Sequence, residues 1–223
     1  MLRLILSLPL FVLMPALPVQ KKQQEIFFGD SITQMGVNPG GYIRLIDSLC
    51  KGEGMSNKFG FAGSGIGGNK VYDLYLRMEE DVLLKNPDLV IIYIGVNDVW
   101  HKSLTGTGTD ADKFEKFYEA IIKKLKARNI KLILCTPAVI GEKTDHSNPQ
   151  DGDLNQYSKL IRAMAIKNNL PLADLRNIFR DYNLKNNPEN QTKGILTTDG
   201  VHLNSRGNQL VAEEIWKLIK LAG

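Results

Sequence analysis

Three residues far apart in the chain have the types needed for acyl transfer. Near the C-terminus the sequence reads "TTDGVHLNSRGNQL", which places Asp199 and His202 in one short turn around Gly200. A carboxylate that accepts from one imidazole nitrogen fixes the tautomer and leaves the other nitrogen free as a base. Alone, the pair reads more simply as the polar turn of an ordinary loop, so its meaning depends on a nucleophile elsewhere. The stretch "IFFGDSIT" offers one, because Ser31 follows an apolar run that ends at Gly29. Asp30 or Ser31 would equally suit a helix N-cap.

A serine that attacks a carbonyl needs donors for the oxyanion that forms. "GSGIGGN" is expected to bring Gly63, Gly65, Gly67 and Gly68 into one turn, where a backbone N–H can approach without a Cβ in the way. "GVND" puts Asn97, an amide donor, and Asp98 directly after the most hydrophobic run of the chain. Asp98 is read as support for its loop, and Trp100 and His101 just beyond as candidates to line a substrate cleft.

These residues need a frame to converge on, and the hydrophobic pattern provides it. Apolar runs at 25–29, 57–62, 88–95, 131–138 and 170–175 read as strands. Helical periodicity falls at 41–52, 71–86, 112–129, 154–169 and 204–221. Strand–helix alternation predicts a parallel sheet covered by helices on both faces. In such sheets ligands bind beyond the carboxyl ends of the strands, where the "GDSIT", "GIGGN" and "GVND" stretches all fall. Two long loops, at 101–112 and 141–153, are expected on the same side.

The four stretches, in this order, closely resemble the SGNH hydrolases, also called the GDSL esterase/lipase family. The blocks are "GDSIT" with Ser31, "GIGGN" with Gly68, "GVND" with Asn97 and "DGVHLN" with Asp199 and His202, and they run from residue 25 to about 207. The resemblance implies a three-layer α/β/α sandwich, flavodoxin-like, with a five-stranded parallel sheet. It makes Ser31 the nucleophile, His202 the general base and then acid, and Asp199 its orienter. The oxyanion donors would be the N–H groups of Ser31 and Gly68, with Gly67 as the alternative to Gly68, plus the Asn97 side chain. It implies no metal and no cofactor. "FGDSITQMGVNPGGY" with "DGVHLN" looks most like the branch that includes isoamyl-acetate-hydrolysing esterases. That branch points to small or short-chain esters, with sugar O-acetyl esters or lysophospholipid as alternatives.

Other readings are weaker. "GSGIGG" formally matches the dinucleotide fingerprint G-x-G-x-x-G, but it follows the second strand and has no acidic partner at the right strand end. A non-catalytic relative of the fold would be expected to have lost Ser31 or His202. Asp145 and His146 are adjacent in a polar loop and poorly placed to orient one another. The absence of a G-x-S-x-G elbow disfavours the α/β-hydrolase fold.

The net charge of +4 comes from lysines scattered along helices, with no basic arm or cluster, which argues against nucleic-acid binding. Residues 1–20, with Arg3 and an apolar stretch from Leu4 to Leu17, fit a signal peptide and predict a secreted or periplasmic enzyme. Residues 21–223 would then form a single domain without stable membrane insertion. Cys135 is expected to be buried in a strand and Cys50 to end a helix; the spacing does not show whether they pair. No His/Cys cluster suggests a metal. The expected partner is a small-molecule or glycan ester, and the oligomeric state is not legible.

Overall fold

The computed structural model describes residues 21–222, so the expected signal segment at 1–20 lies outside the described residues. Five strands form one parallel sheet: β1 (Gln23–Gly29), β2 (Phe59–Gly65), β3 (Leu89–Tyr93), β4 (Lys131–Cys135) and β5 (Leu172–Ala173). Their spatial order is β2-β1-β3-β4-β5, so the chain reverses direction across the sheet between β1 and β3. That reversal opens a crevice at the carboxyl ends of the two strands, the general ligand position in open α/β sheets.

Register brings three of the site loops level. Gly29 pairs with Gly65 on one side and Tyr93 on the other, and Tyr93 pairs with Cys135. The chain therefore leaves β1, β2 and β3 along one rim. All five residues of β3 are buried, because helices cover both faces of the sheet.

The helical layers follow from amphipathic spacing. On one face α2 (Tyr42–Gly52) packs against the closing helix α8 (Ser205–Ala222). On the other, α3 (Val71–Asp81) packs on α5 (Ala111–Ala127), and α5 on α6 (Asp151–Asn168). In α5, Phe114, Tyr118, Ile121, Ile122 and Leu125 recur at helical spacing and all are buried. α8 does the same with Val211, Ala212, Ile215, Trp216 and Ile219. The result is the three-layer α/β/α sandwich that the alternation of elements predicts.

Several boundaries differ from the sequence reading. β2 runs on to Gly65, so Gly63 and Gly65 belong to a strand and the turn begins at Ile66. A Cβ on Gly65 would sit 2.1 Å from the Gln34 nitrogen, which explains glycine at that strand end. The helix expected over 71–86 stops at Asp81 and gives way to a 3-10 turn at Leu83–Lys85. The first of the two expected long loops is shorter, because α4 (Val96–Leu104) starts within "GVND" itself. The second ends at Asp151, where α6 begins. The sequence reading also missed α7 (Leu175–Asn186) and the short α1 (Ser31–Gly36). Cys50 and Cys135 are both buried and unpaired thiols in the core.

Candidate active site

Ser31 is the first residue of α1, and Asp30 caps that helix by accepting the Ile32 N–H at 3.0 Å. The cap places the serine side chain on the rim, half-buried, directly beyond β1. The local reading of this stretch as a helix cap and the reading of Ser31 as a nucleophile are therefore compatible, since they fall on neighbouring residues.

Ser31 Oγ lies 3.0 Å from His202 Nε2, across 171 residues of sequence. On the other side of the ring, His202 Nδ1 lies 2.7 Å from Asp199 Oδ2. The second oxygen of Asp199 accepts the backbone N–H groups of Val201 (2.9 Å) and His202 (2.8 Å). Burial pushes the Asp199 carboxyl up, but these bonds from the ring and the backbone outweigh it and hold the carboxyl below its usual range. Asp199 is therefore ionised and fixed at both oxygens. The turn itself is closed by Thr198 N–H donating to His202 O at 2.8 Å and by an isolated bridge between Thr197 and Leu203.

The remaining loops hold the candidate donors. Gly68 has φ of +76°, a conformation other residues adopt only under strain. The Gly67 N–H is taken by Gln34 Oε1 at 2.9 Å, whereas the Gly68 N–H has no hydrogen-bond partner among the described residues. Of the two glycines weighed from sequence, Gly68 thus has the available N–H. The Gly68 carbonyl accepts from Lys70 Nζ at 3.2 Å. Asn97 is buried in the first turn of α4, and its Nδ2 donates to Asn69 O at 3.1 Å, which aims the amide toward the Gly68 loop and leaves it a second hydrogen. Asp98 accepts the Val71 N–H at 3.2 Å and so ties α4 to the start of α3. Burial pushes both Asp30 and Asp98 up to about 7, and each carboxyl acts here as a structural acceptor.

Trp100 lies edge-on to His202 with ring centroids 6.4 Å apart, and His101 lies against Trp100 at 5.9 Å. Burial, and then Lys70, lowers the His101 pKa and so favours its neutral ring. Trp100 also walls a cleft of about 340 Å³ that includes Asp199, Gly200 and Val201. The structure thus brings Ser31, His202, Asp199, Trp100 and the Asn97 loop together. Asp145 and His146 stay apart from them, the first accepting from Ser147 and the second facing a different cavity. A further cavity of about 340 Å³, around Glu25, Asp88, Arg128 and Lys131, opens at the opposite end of the strands and touches none of the four loops.

Two supporting residues carry no local signal in the sequence. Arg77 of α3 donates to Gly29 O (2.8 Å), Ser64 O (3.0 Å) and Asn69 Oδ1 (2.7 Å), joining the ends of β1 and β2. Glu142 accepts the N–H groups of Ile195 (2.8 Å) and Leu196 (2.6 Å) and anchors the chain that leads into the His202 turn.

A doubly wound sheet with serine, histidine and aspartate in line at its carboxyl rim defines the class as a serine-type hydrolase. The chain matches the GDSL-like Lipase/Acylhydrolase family over residues 27–210, and it belongs to that family. It is a carboxylic ester hydrolase of the GDSL/SGNH type. A crystal structure of an acetyl xylan esterase, AlAXEase, is similar with a TM-score of 0.87 and 63% identity, covering 88% of this chain and 99% of that one. Structures of the acetylxylan esterase Axe2 from Geobacillus stearothermophilus are described as catalytic mutants with a serine, an aspartate or a histidine changed to alanine. The serine mutant gives a TM-score of 0.77 at 25% identity, covering 88% of this chain and 94% of that one. The isoamyl acetate-hydrolyzing esterase of Schizosaccharomyces pombe is 26% identical over 198 residues, 87% of this chain and 74% of its own. These figures correct the expected branch. The four blocks are common to the whole family and do not separate its branches, whereas the 63% identity over 88% of this chain is to an acetyl xylan esterase and not to a member of the isoamyl-acetate branch.

Proposed function

We propose that the enzyme removes acetyl groups from an acetylated xylan-type glycan by way of an acetyl-enzyme. The observation that carries this reading is the 63% identity to an acetyl xylan esterase, which runs through the whole of that chain. Trp100 supports it from the site side, since an aromatic ring at the edge of the cleft gives a sugar ring an apolar face to lie on.

In the proposed reaction Ser31 Oγ attacks the acetyl carbonyl as its proton passes to His202 Nε2. The carbonyl oxygen takes up negative charge between the N–H groups of Ser31 and Gly68 and the Asn97 amide. Collapse breaks the bond to the sugar oxygen, which receives the proton from His202. Water, deprotonated by His202 in turn, then hydrolyses the acetyl-serine and releases acetate. Asp199 holds the ring in the tautomer that presents Nε2 to the serine. A histidine base works only when its accepting nitrogen is unprotonated.

The test compares acetate release from acetylated xylooligosaccharides with hydrolysis of p-nitrophenyl esters from acetate to palmitate, with Ser31→Ala beside the wild type. Rapid release from the glycan with a sharp preference for the acetyl ester supports the proposal. Good turnover of long-chain esters with an inert glycan would refute it.

We also infer that residues 1–20 direct export, which suits an enzyme that meets polysaccharide outside the cell. N-terminal sequencing of protein recovered from outside the cytoplasm tests this, and an intact Met1 there would count against it. Among the described residues no helix is long and apolar enough to cross a membrane.

A further inference from the structure

Lys70, the residue before α3, is 7% exposed, and its side chain turns back on the glycine loop to donate from Nζ to Gly68 O at 3.2 Å. That is the side chain's one hydrogen bond among the described residues. No carboxylate of the described residues lies within ion-pair distance of it. Asp73, in the first turn of α3, takes the Lys70 backbone N–H at 2.8 Å, and Asp98 on α4 takes the Val71 N–H at 3.2 Å. The ammonium also lies over the Tyr72 ring, 5.6 Å from its centroid.

A buried charge without a counter-ion is costly, and it persists only where something offsets the cost. Stability does not, because an apolar side chain of similar length could pack there without the desolvation penalty. The position of the charge does. Gly68 carries the available N–H of the turn on one side of its Cα and the carbonyl held by Lys70 on the other. An anion bound at that N–H would lie within about 9 Å of the ammonium, by bond and hydrogen-bond lengths. The His101 ring, whose Cε1 would lie 3.7 Å from a Cβ on Gly68, is favoured neutral by burial and by Lys70 itself. Burial pushes the Asp98 carboxyl up to about 7, so near neutral pH it offsets only part of the Lys70 charge.

We propose that Lys70 is the electrostatic positioning residue of the oxyanion site: its ammonium fixes the Gly68 carbonyl and supplies positive potential to the charge that develops on the acyl oxygen. The ester is neutral there and gains little, whereas the tetrahedral species gains most, and only that difference raises kcat. Gln34 holds the Gly67 N–H at 2.9 Å, so the turn is pinned on both sides of the Gly68 N–H. At about 8 Å and an effective dielectric of about 20, one charge is worth about 10–30-fold in rate. The inference rests on the reaction proposed above for Ser31, and is independent of which sugar carries the acetyl group.

The test measures kcat/KM on p-nitrophenyl acetate, Ki for phenylboronic acid and Tm, for the wild type, Lys70→Met, Lys70→Gln and Lys70→Arg. The boron takes up Ser31 Oγ and becomes anionic, so Ki reports the tetrahedral charge without turnover. Lys70→Met and Lys70→Gln should lower kcat/KM and raise Ki by a common factor of about 10–30, with Tm unchanged or higher because a lone buried charge has gone. Lys70→Arg keeps the charge and should recover most of both. Lys70→Gln separates the two roles of the side chain, since it can still donate to Gly68 O but carries no charge. Wild-type rates in Lys70→Gln, or losses that follow a falling Tm in all three variants, would make Lys70 a structural clamp and overturn the proposal. So would a fall in kcat/KM with Ki unmoved. A boronic acid that does not inhibit the wild type, with turnover retained in Ser31→Ala, would overturn the underlying reaction and the proposal with it.

Discussion

The guanidinium of Arg77 donates to the carbonyl of Gly29 at 2.8 Å, fixing the end of β1 two residues before the serine at the rim. The same side chain holds Ser64 O and Asn69 Oδ1, so one planar fork sets the spacing between the Ser31 turn and the Gly68 turn. Lysine cannot reproduce this geometry, because its ammonium is a point charge without a fork. Arg77→Lys is expected to lose about 2–4 kcal/mol of stability and to lower kcat even where the protein stays folded. Urea unfolding beside kcat measured well below the transition checks both. Wild-type values for Arg77→Lys would show that the ends of β1 and β2 are held without it.

Ser31, His202 and Asp199 are proposed to act as one unit. Ser31→Ala and His202→Ala should then each reduce kcat by about 10³-fold or more, and the double variant by little beyond either. Asp199→Asn should cost on the order of 10³–10⁴-fold, because the amide would favour the wrong tautomer of the ring. Steady-state rates on p-nitrophenyl acetate suffice for all four proteins. Multiplying losses in the double variant would mean that the serine and the histidine work independently.

Glu142 reaches across to accept two successive backbone N–H groups, at Ile195 and Leu196, with its own carboxylate fully buried. In Glu142→Gln one of these N–H groups would face an NH₂ and lose its acceptor. The expected cost is about 1–3 kcal/mol, concentrated in the segment that leads to Asp199 and His202. Hydrogen exchange should locate it there. Uniform loss of protection across the domain would show that Glu142 stabilises the fold as a whole and not this segment.

Three buried carboxyls give the fold an unusual response to pH. Burial pushes Asp30 and Asp98 up to about 7, and burial together with Asp88 pushes Glu25 up to about 8. Between about pH 4 and those values the folded state keeps protons that the unfolded chain has released, so stability falls as pH rises through this window. Asp199 and Asp174 are held low and act in the opposite sense, losing their contribution below about pH 4. Tm should accordingly peak near pH 5 and decline toward pH 8, although the proposed chemistry needs a neutral histidine. Asp98→Asn, which mimics the protonated form and can still accept from Val71, should flatten that decline. A Tm that climbs steadily from pH 5 to 8 would contradict the burial argument for these groups.

The sequence reading failed at identifiable places. α7 carries Leu175, Ile178, Phe179 and Tyr182 at helical spacing, but Asn177, Asp181, Asn183 and Asn186 lower its propensity and mask the pattern. α4 begins one residue after Gly95, whose φ of +124° turns the chain straight from β3 into a helix, so "GVND" reads as a loop when it is a helix start. The short α1 is held by the Asp30 cap and by its packing on β2, neither of which a six-residue stretch reveals as periodicity. The family branch was misread because short blocks around the reacting groups record the chemistry, while substrate choice depends on the surrounding loops.

The sequence by itself determined the parallel sheet, the helices on its two faces and the three stretches that follow strand ends on its carboxyl rim. Those follow from local rules, namely apolar periodicity, glycine where backbone must approach closely, and chemistry-bearing residues after strand ends. Only the tertiary structure decided which groups meet. The 3.0 Å contact of Ser31 with His202 spans 171 residues, and no local pattern specifies a distance across that separation. Register alone made Gly29, Gly65 and Tyr93 level and so brought three loops to one rim. The choice of Gly68 over Gly67 as the available donor turned on Gln34, and the position of the His202 turn on Glu142, residues from distant segments that packing placed there.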